Sequence, residues 1–224
     1  PQIDATQGFI WSSFVRDLEY DWQTLVENVA DPSHVPFAHH GVQGNRKQAS
    51  SIPITIVQST PNFIQAVLER GYQTTITFEP PCRLEYAFAF NNGRKFGLVT
   101  YCLPVSPGKS RIVAQFPQNF AKTITSLIPR WWNHIKVRNS VIDGDMILLR
   151  KQEIFLQEHQ DNWKTLYKLP TSADRLVIEL ISIVVVNFRG RMLNKLHHKL
   201  MITVKFYSIA IRNIQNIVRV AETR

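Results

Sequence analysis

The sequence predicts an α+β domain in which a curved antiparallel sheet wraps around a long C-terminal helix. Three observations predict it: an apolar stripe at helical spacing near the start, then short β-branched and aromatic runs set apart by turn residues, then a return to helical spacing. The stripe is Trp22, Leu25, Val26 and Val29, which puts a helix at about 20–30. Residues 41–51 (GVQGNRKQASS) are polar and glycine-bearing and read as a surface loop. Up to about residue 117 follow SIPITIV, NFIQAVLE, TTITFE, RLEYAFAF, KFGLVTYCL and RIVAQF, separated by turn signals such as Thr60-Pro61-Asn62, Pro80-Pro81, Asn91-Asn92-Gly93 and Ser106-Pro107-Gly108. That spacing predicts a meander of about six strands. Helices are expected over 121–136 and 138–160, where Val141, Met146, Leu149 and Phe155 fall among charged positions.

Composition narrows the class. With 224 residues, 44% apolar and 19% charged, the chain reads as a folded globule rather than a disordered one. Cys82 and Cys102 stand twenty apart, so a disulfide framework, a four-cysteine zinc site and a cysteine-held Fe–S cluster are not expected within this chain. The longest apolar run, Leu176 to Phe188, contains Glu179 and falls short of the ~20 residues that cross a bilayer. The formal charge of +9 is unevenly spread: residues 180–224 hold eight Lys/Arg against Glu222, or +7, leaving +2 for residues 1–179. A basic body surface for nucleic acid is therefore not predicted, and no nucleic-acid partner is expected. The start at Pro1, without methionine or leader, reads as that of a fragment or processed product.

The string Glu27-Asn28-Val29-Ala30-Asp31-Pro32-Ser33-His34-Val35-Pro36-Phe37-Ala38-His39-His40 carries the chemistry. Two histidines five apart diverge by about 140° on a regular helix. Pro36 between them would kink the helix and turn His34 and His39 toward one point, a half-site for iron, copper or zinc. Asp31 can accept a hydrogen bond from a nearby imidazole, or cap a helix with Pro32 at its first position. The bland alternative is a surface histidine cluster. A carboxylate from Asp143-Gly144-Asp145, ahead of an apolar helical stretch, could complete two histidines and an acid on one metal face; equally, that run could be a solvated helix start.

The run DWQTLVENVADPSHVPFAHHG, with the later DGDMILLRKQE, resembles the catalytic domain of Rieske-type non-haem iron oxygenases, in the branch typified by pheophorbide a oxygenase. The similarity spans about residues 8–178, including Tyr167-Lys168-Leu169-Pro170-Thr171-Ser172-Ala173-Asp174-Arg175. The resemblance implies a helix-grip fold, with Fe(II) held by His34, His39 and Asp145, Asp143 being the runner-up. It implies that Asp31, with Asn28, relays electrons at the iron's outer side, and that His40, Phe37 and Trp131 neighbour the pocket. The substrate would be an apolar ring, a chlorophyll-type tetrapyrrole. Electrons would come from a [2Fe–2S] Rieske centre outside this sequence, fed by a ferredoxin or reductase. A homotrimer and a chloroplast or cyanobacterial setting, soluble or membrane-associated, also follow from the resemblance, while the basic tail suits a membrane-surface contact. On this reading residues 1–19 are the trailing edge of a Rieske domain and 20–179 the iron domain, and 180–224 are a basic tail whose Ile/Asn/Arg-rich text suggests a change of reading frame. The rival is a catalytically incompetent module of the same fold that binds an apolar ligand.

Overall fold

The computed structural model describes residues 8–69, 72–159, 166–169 and 171–184. In chain order the elements are strand β1 (Ile10–Leu18), helix α1 (Trp22–Ala30), a 3-10 turn (Pro32–His34), the single-turn α2 (Val35–Ala38) and a second 3-10 turn (Arg46–Gln48). Strands β2 (Ile54–Thr60), β3 (Phe63–Glu69), β4 (Gln73–Glu79), β5 (Arg83–Ala89), β6 (Lys95–Ser106) and β7 (Lys109–Gln118) follow. Then come α3 (Lys122–Leu127), α4 (Arg130–Trp132), a π-helical stretch (Asn133–Arg138), α5 (Asn139–Glu158), a 3-10 turn (Ser172–Asp174) and α6 (Arg175–Val184). The seven strands form one antiparallel sheet in the order β1-β7-β6-β5-β4-β3-β2.

The six expected runs are β2 to β7. The added strand is β1, which pairs with β7 along its full length from Ile10 opposite Gln118 to Leu18 opposite Ser110. The lead-in assigned to a preceding domain is thus an edge strand of this sheet over residues 10–18. Its inward positions alternate as strand geometry requires, but Ser12 and Arg16 occupy two of them while Trp11 and Val15 face outward, so the apolar alternation is hidden.

The core lies on the concave face. Phe14, Leu18, Ile54, Ile64, Ile76, Phe78 and Leu84 of the sheet meet Leu25 and Val26 of α1, Leu149 of α5, and Leu176, Leu180, Ile181 and Val184 of α6. Helix α1 packs across β5–β7 and α6 across β2 and β3. The helix expected over 121–136 is broken: Pro129 lies between α3 and α4, and the backbone then winds as a π-helix into α5. Helix α6 crosses the boundary expected at 179/180 without interruption, and Leu180 and Ile181 are among its most buried residues. The remainder of the tail, and the frame change suggested there, lie outside the described residues. Among the described residues no helix is long and apolar enough to cross a membrane.

Candidate metal centre

Helix α1 starts at Asp21, whose carboxylate accepts from the Gln23 N–H, and stops where Asp31 turns extended (φ −99°, ψ 102°). The Asp31 carboxylate then caps the next turn, accepting from the Ser33 amide at 2.7 Å and the Ser33 hydroxyl at 2.5 Å. Pro32 is the first residue of that turn and Pro36 stands in the first turn of α2, positions where a missing N–H removes nothing. The histidines therefore converge through a 3-10 turn joined to one α turn, rather than through a kinked regular helix. His34 closes the first and His39, just past α2, donates its N–H to the Val35 carbonyl at 3.1 Å. The two Nε2 atoms face each other at 3.2 Å, with the rings edge to face.

From the far side of the chain α5 brings Asp145. Its Oδ1 lies 3.5 Å from His39 Nε2 and 3.7 Å from His34 Nε2. Gly144 makes this approach possible: a Cβ there would stand 2.5 Å from the Ala38 carbonyl oxygen and 3.4 Å from His39 Nδ1. For bonds near 2.1 Å at right angles, ligand atoms sit ~3 Å apart, so this donor set fits one small cation with two imidazoles and a carboxylate on a single face. Among the described residues it is the group of three or more metal-type donors whose atoms converge within 4.8 Å.

The electrostatics suit the same role. Asp145 is 4% exposed, and burial raises its pKa to about 6, against the opposing pull of His34 and of a hydrogen bond from the Asn28 side chain. His39 is 3% exposed, and burial, then the neighbouring His34, lower it to about 4, with only the Val141 backbone acting the other way. His39 Nδ1 nevertheless lacks a well-formed hydrogen bond. His34 Nδ1 makes a very short contact with the Asp31 carbonyl, which fixes the proton on Nδ1 and leaves Nε2 a free lone pair. At neutral pH the site holds a neutral His39 and an ionised, buried Asp145 that no Lys or Arg of the described residues pairs with. A divalent cation would offset that charge.

Asn28 and Asp31 stand beside the triad, though Asp31 touches His34 through its carbonyl while its carboxylate caps. The runner-up Asp143 points away: it is exposed and paired with Arg16 at 2.5 Å. The three residues expected near the pocket do not line its cavity. Phe37 and Trp131 are 50% and 60% exposed, and His40 Nδ1 accepts from the Arg46 amide at the surface. A cavity of about 430 Å³ opens beside the triad, bordered by Asn28, Asp31, His34 and Asp145 and by the apolar Leu148, Leu149, Phe155, Leu156 and Leu169. Its polar wall, Glu27 accepting from Gln23 and Tyr167 at 2.7 Å each while Gln152 donates to the Tyr167 hydroxyl at 3.1 Å, was not foreseen. The only available signal was the position of Glu27 beside Asn28 on an apolar helix face.

Residues 78–163 match the family model described as Pheophorbide a oxygenase, and residues 18–71 match that of the Vanillate O-demethylase oxygenase C-terminal domain. The chain is 33% identical over 186 residues to Pheophorbide a oxygenase, chloroplastic, of Arabidopsis thaliana, covering 73% of this chain and 34% of that protein. The chain belongs to the pheophorbide a oxygenase-like branch of the Rieske-type oxygenases. It is 25% identical over 191 residues to Chlorophyllide a oxygenase, chloroplastic, of Arabidopsis thaliana, covering 79% of this chain and 34% of that one. This member of the branch spans about a third of the length of these curated relatives. In structure it is similar to a Pseudomonas putida CBB5 NdmA variant solved with theobromine, at a TM-score of 0.61 and 14% identity, over 81% of this chain and 52% of that one. That likeness is one of fold: the helix-grip arrangement of curved sheet and long helix.

Proposed function

We propose that this chain is the catalytic domain of a mononuclear non-haem iron oxygenase. Its substrate would be an apolar ring compound, specifically a chlorophyll-type tetrapyrrole. The observation that carries the reading is the convergence of His34 Nε2, His39 Nε2 and Asp145 Oδ1 within 3.2–3.7 Å, from segments that precede and follow strands β2 to β7 in the chain. Those three groups would hold Fe(II), which supplies the oxygen chemistry when bound. The protein's own residues do the rest. The Asp31 carbonyl holds the His34 proton on Nδ1, the Asn28 amide orients Asp145, and burial keeps His39 neutral. The apolar side of the cavity limits water at the site.

Electrons would arrive from a [2Fe–2S] Rieske centre fed by a ferredoxin or reductase, with Asp31 at the point of entry. A homotrimer would let a neighbouring subunit present that centre. The chloroplast setting of the relatives supports the same location here. The competing reading, a ligand-binding module with idle histidines, rests on the apolar cavity alone. Metal analysis of anaerobically purified protein separates the two. About one iron per chain is expected, lost in His34→Ala and in Asp145→Ala; full iron in both variants would overturn the oxygenase reading.

A further inference from the structure

The concave face of the sheet carries a row of aromatic rings running from the buried Tyr86 to the half-buried Phe88, Phe96 and Phe116. Tyr86 stacks with Phe88 at 6.0 Å between centroids, Phe88 meets Phe96 at 5.6 Å, and Phe96 stacks with Phe116 at 6.5 Å. At the end of the row the Arg138 guanidinium carbon stands 3.3 Å from the centre of the Phe116 ring. Beside it His134 lies 4.8 Å from Phe14.

Arg138 is half-buried, yet among the described residues no carboxylate pairs with it. The nearby acid on the same helix, Asp143, is taken by Arg16. Burial without an anion lowers the Arg138 pKa to about 10. A desolvated guanidinium over an aromatic ring regains only part of its hydration, and the partner that matches its planar fork is a carboxylate. Arg138 closes the π-helical stretch, and Ile142, Asp145 and Leu149 follow on one face of α5. Seven residues rise ~10 Å along a helix, the width of a large flat ring system.

We propose that Arg138 determines specificity by gripping a carboxylate on a flat, polycyclic substrate whose ring plane lies along Phe88, Phe96 and Phe116. Held this way, the far edge of the molecule reaches toward the His34–His39–Asp145 group. The inference adds a specificity-determining residue to the reading above and rests on it for the reaction, but not for the binding. Phe116 supplies the ring contact, and Arg138 selects acid over ester.

The test uses the whole 224-residue chain and two probes, pheophorbide a and its methyl ester, titrated by fluorescence. The native protein should bind the acid at least tenfold more tightly than the ester. Arg138→Met should bring the acid to the level of the ester, Arg138→Lys should keep part of the gap, and Phe116→Leu should weaken both probes alike. Equal binding of acid and ester by the native protein, no binding of either, or a gap that persists in Arg138→Met would each overturn the proposal. Iron is measured on the same samples. A gap without iron would sink the oxygenase reading and leave Arg138 its role; iron without a gap would do the reverse.

Discussion

Asp145 carries the sharpest conflict between stability and function. Its folded pKa of about 6 lies above the ordinary carboxylate value, so the stability it contributes is present below about pH 4 and is lost as pH rises through 6. Near pH 7.5 the metal-free protein holds an uncompensated buried charge. Asp145→Asn is therefore expected to leave the metal-free fold as stable as the native one, or more stable by about 2 kcal/mol. Only the native protein should gain further stability on adding Co(II) or Fe(II). Thermal melts with and without metal check this, and a variant that still gains from metal would remove Asp145 from the ligand set.

His39 runs in the opposite sense. Its folded pKa of about 4 lies below that of a free imidazole, so its contribution is present above about pH 6.5 and fades as pH falls toward 4. Protons and metal compete for the same Nε2. Co(II) loading, followed by equilibrium dialysis, should fall as pH drops through 6, where Asp145 takes up its proton, and further toward pH 4, where His39 does; loading that is flat from pH 7 to 4 would contradict the ligand set. The choice between the two aspartates was partly legible in the sequence. On a helix, residues two apart diverge by about 200°, and the apolar positions Ile142, Met146 and Leu149 put 145, not 143, on the inward face. Buried Glu27 and its half-buried partners Tyr167 and Gln152 were not legible, because their meeting depends on how α1, α5 and the segment before α6 pack.

At the scale of elements, Gly144 decides how closely α5 can approach α2. Alanine is favoured over glycine inside a helix by about 1 kcal/mol. The Ala38 carbonyl 2.5 Å from the added Cβ outweighs that, because backbone rather than a flexible side chain must move. Gly144→Ala is expected to lower stability by about 1–3 kcal/mol in urea unfolding and to weaken metal binding with it. A variant more stable than native and fully loaded with metal would mean that α2 and α5 are not held at this distance. The six strands β2 to β7 could be read from the sequence because turn residues bracket each of them. Strand β1 could not, since Ser12 and Arg16 point inward, and neither could the geometry joining His34 to His39. Pro36 signals a change of direction, but the observed solution is a 3-10 turn with each proline at a helix start.

For the whole molecule, α6 is part of the core rather than the beginning of a separate tail. Leu176 and Leu180 are fully buried against the sheet and α1. Leu180→Ala should cost about 2–5 kcal/mol, and a chain ending at residue 179 should fail to show a cooperative unfolding transition. A cooperative melt from that truncated chain would restore the boundary between Glu179 and Leu180. The charge split between body and tail was readable by counting. The role of Leu180, Ile181 and Val184 was not, because the change of composition after Glu179 suggests a boundary that the packing of α6 does not have.

The donors of the site also differ in when they are made. His34 and His39 leave the ribosome before any of β2 to β7, whereas Asp145 follows the last of them. A nascent chain therefore offers a metal only two imidazoles until the sheet has been synthesised and α5 has docked. Capture of the ion is then a late event in maturation, reserved for molecules whose scaffold is already built.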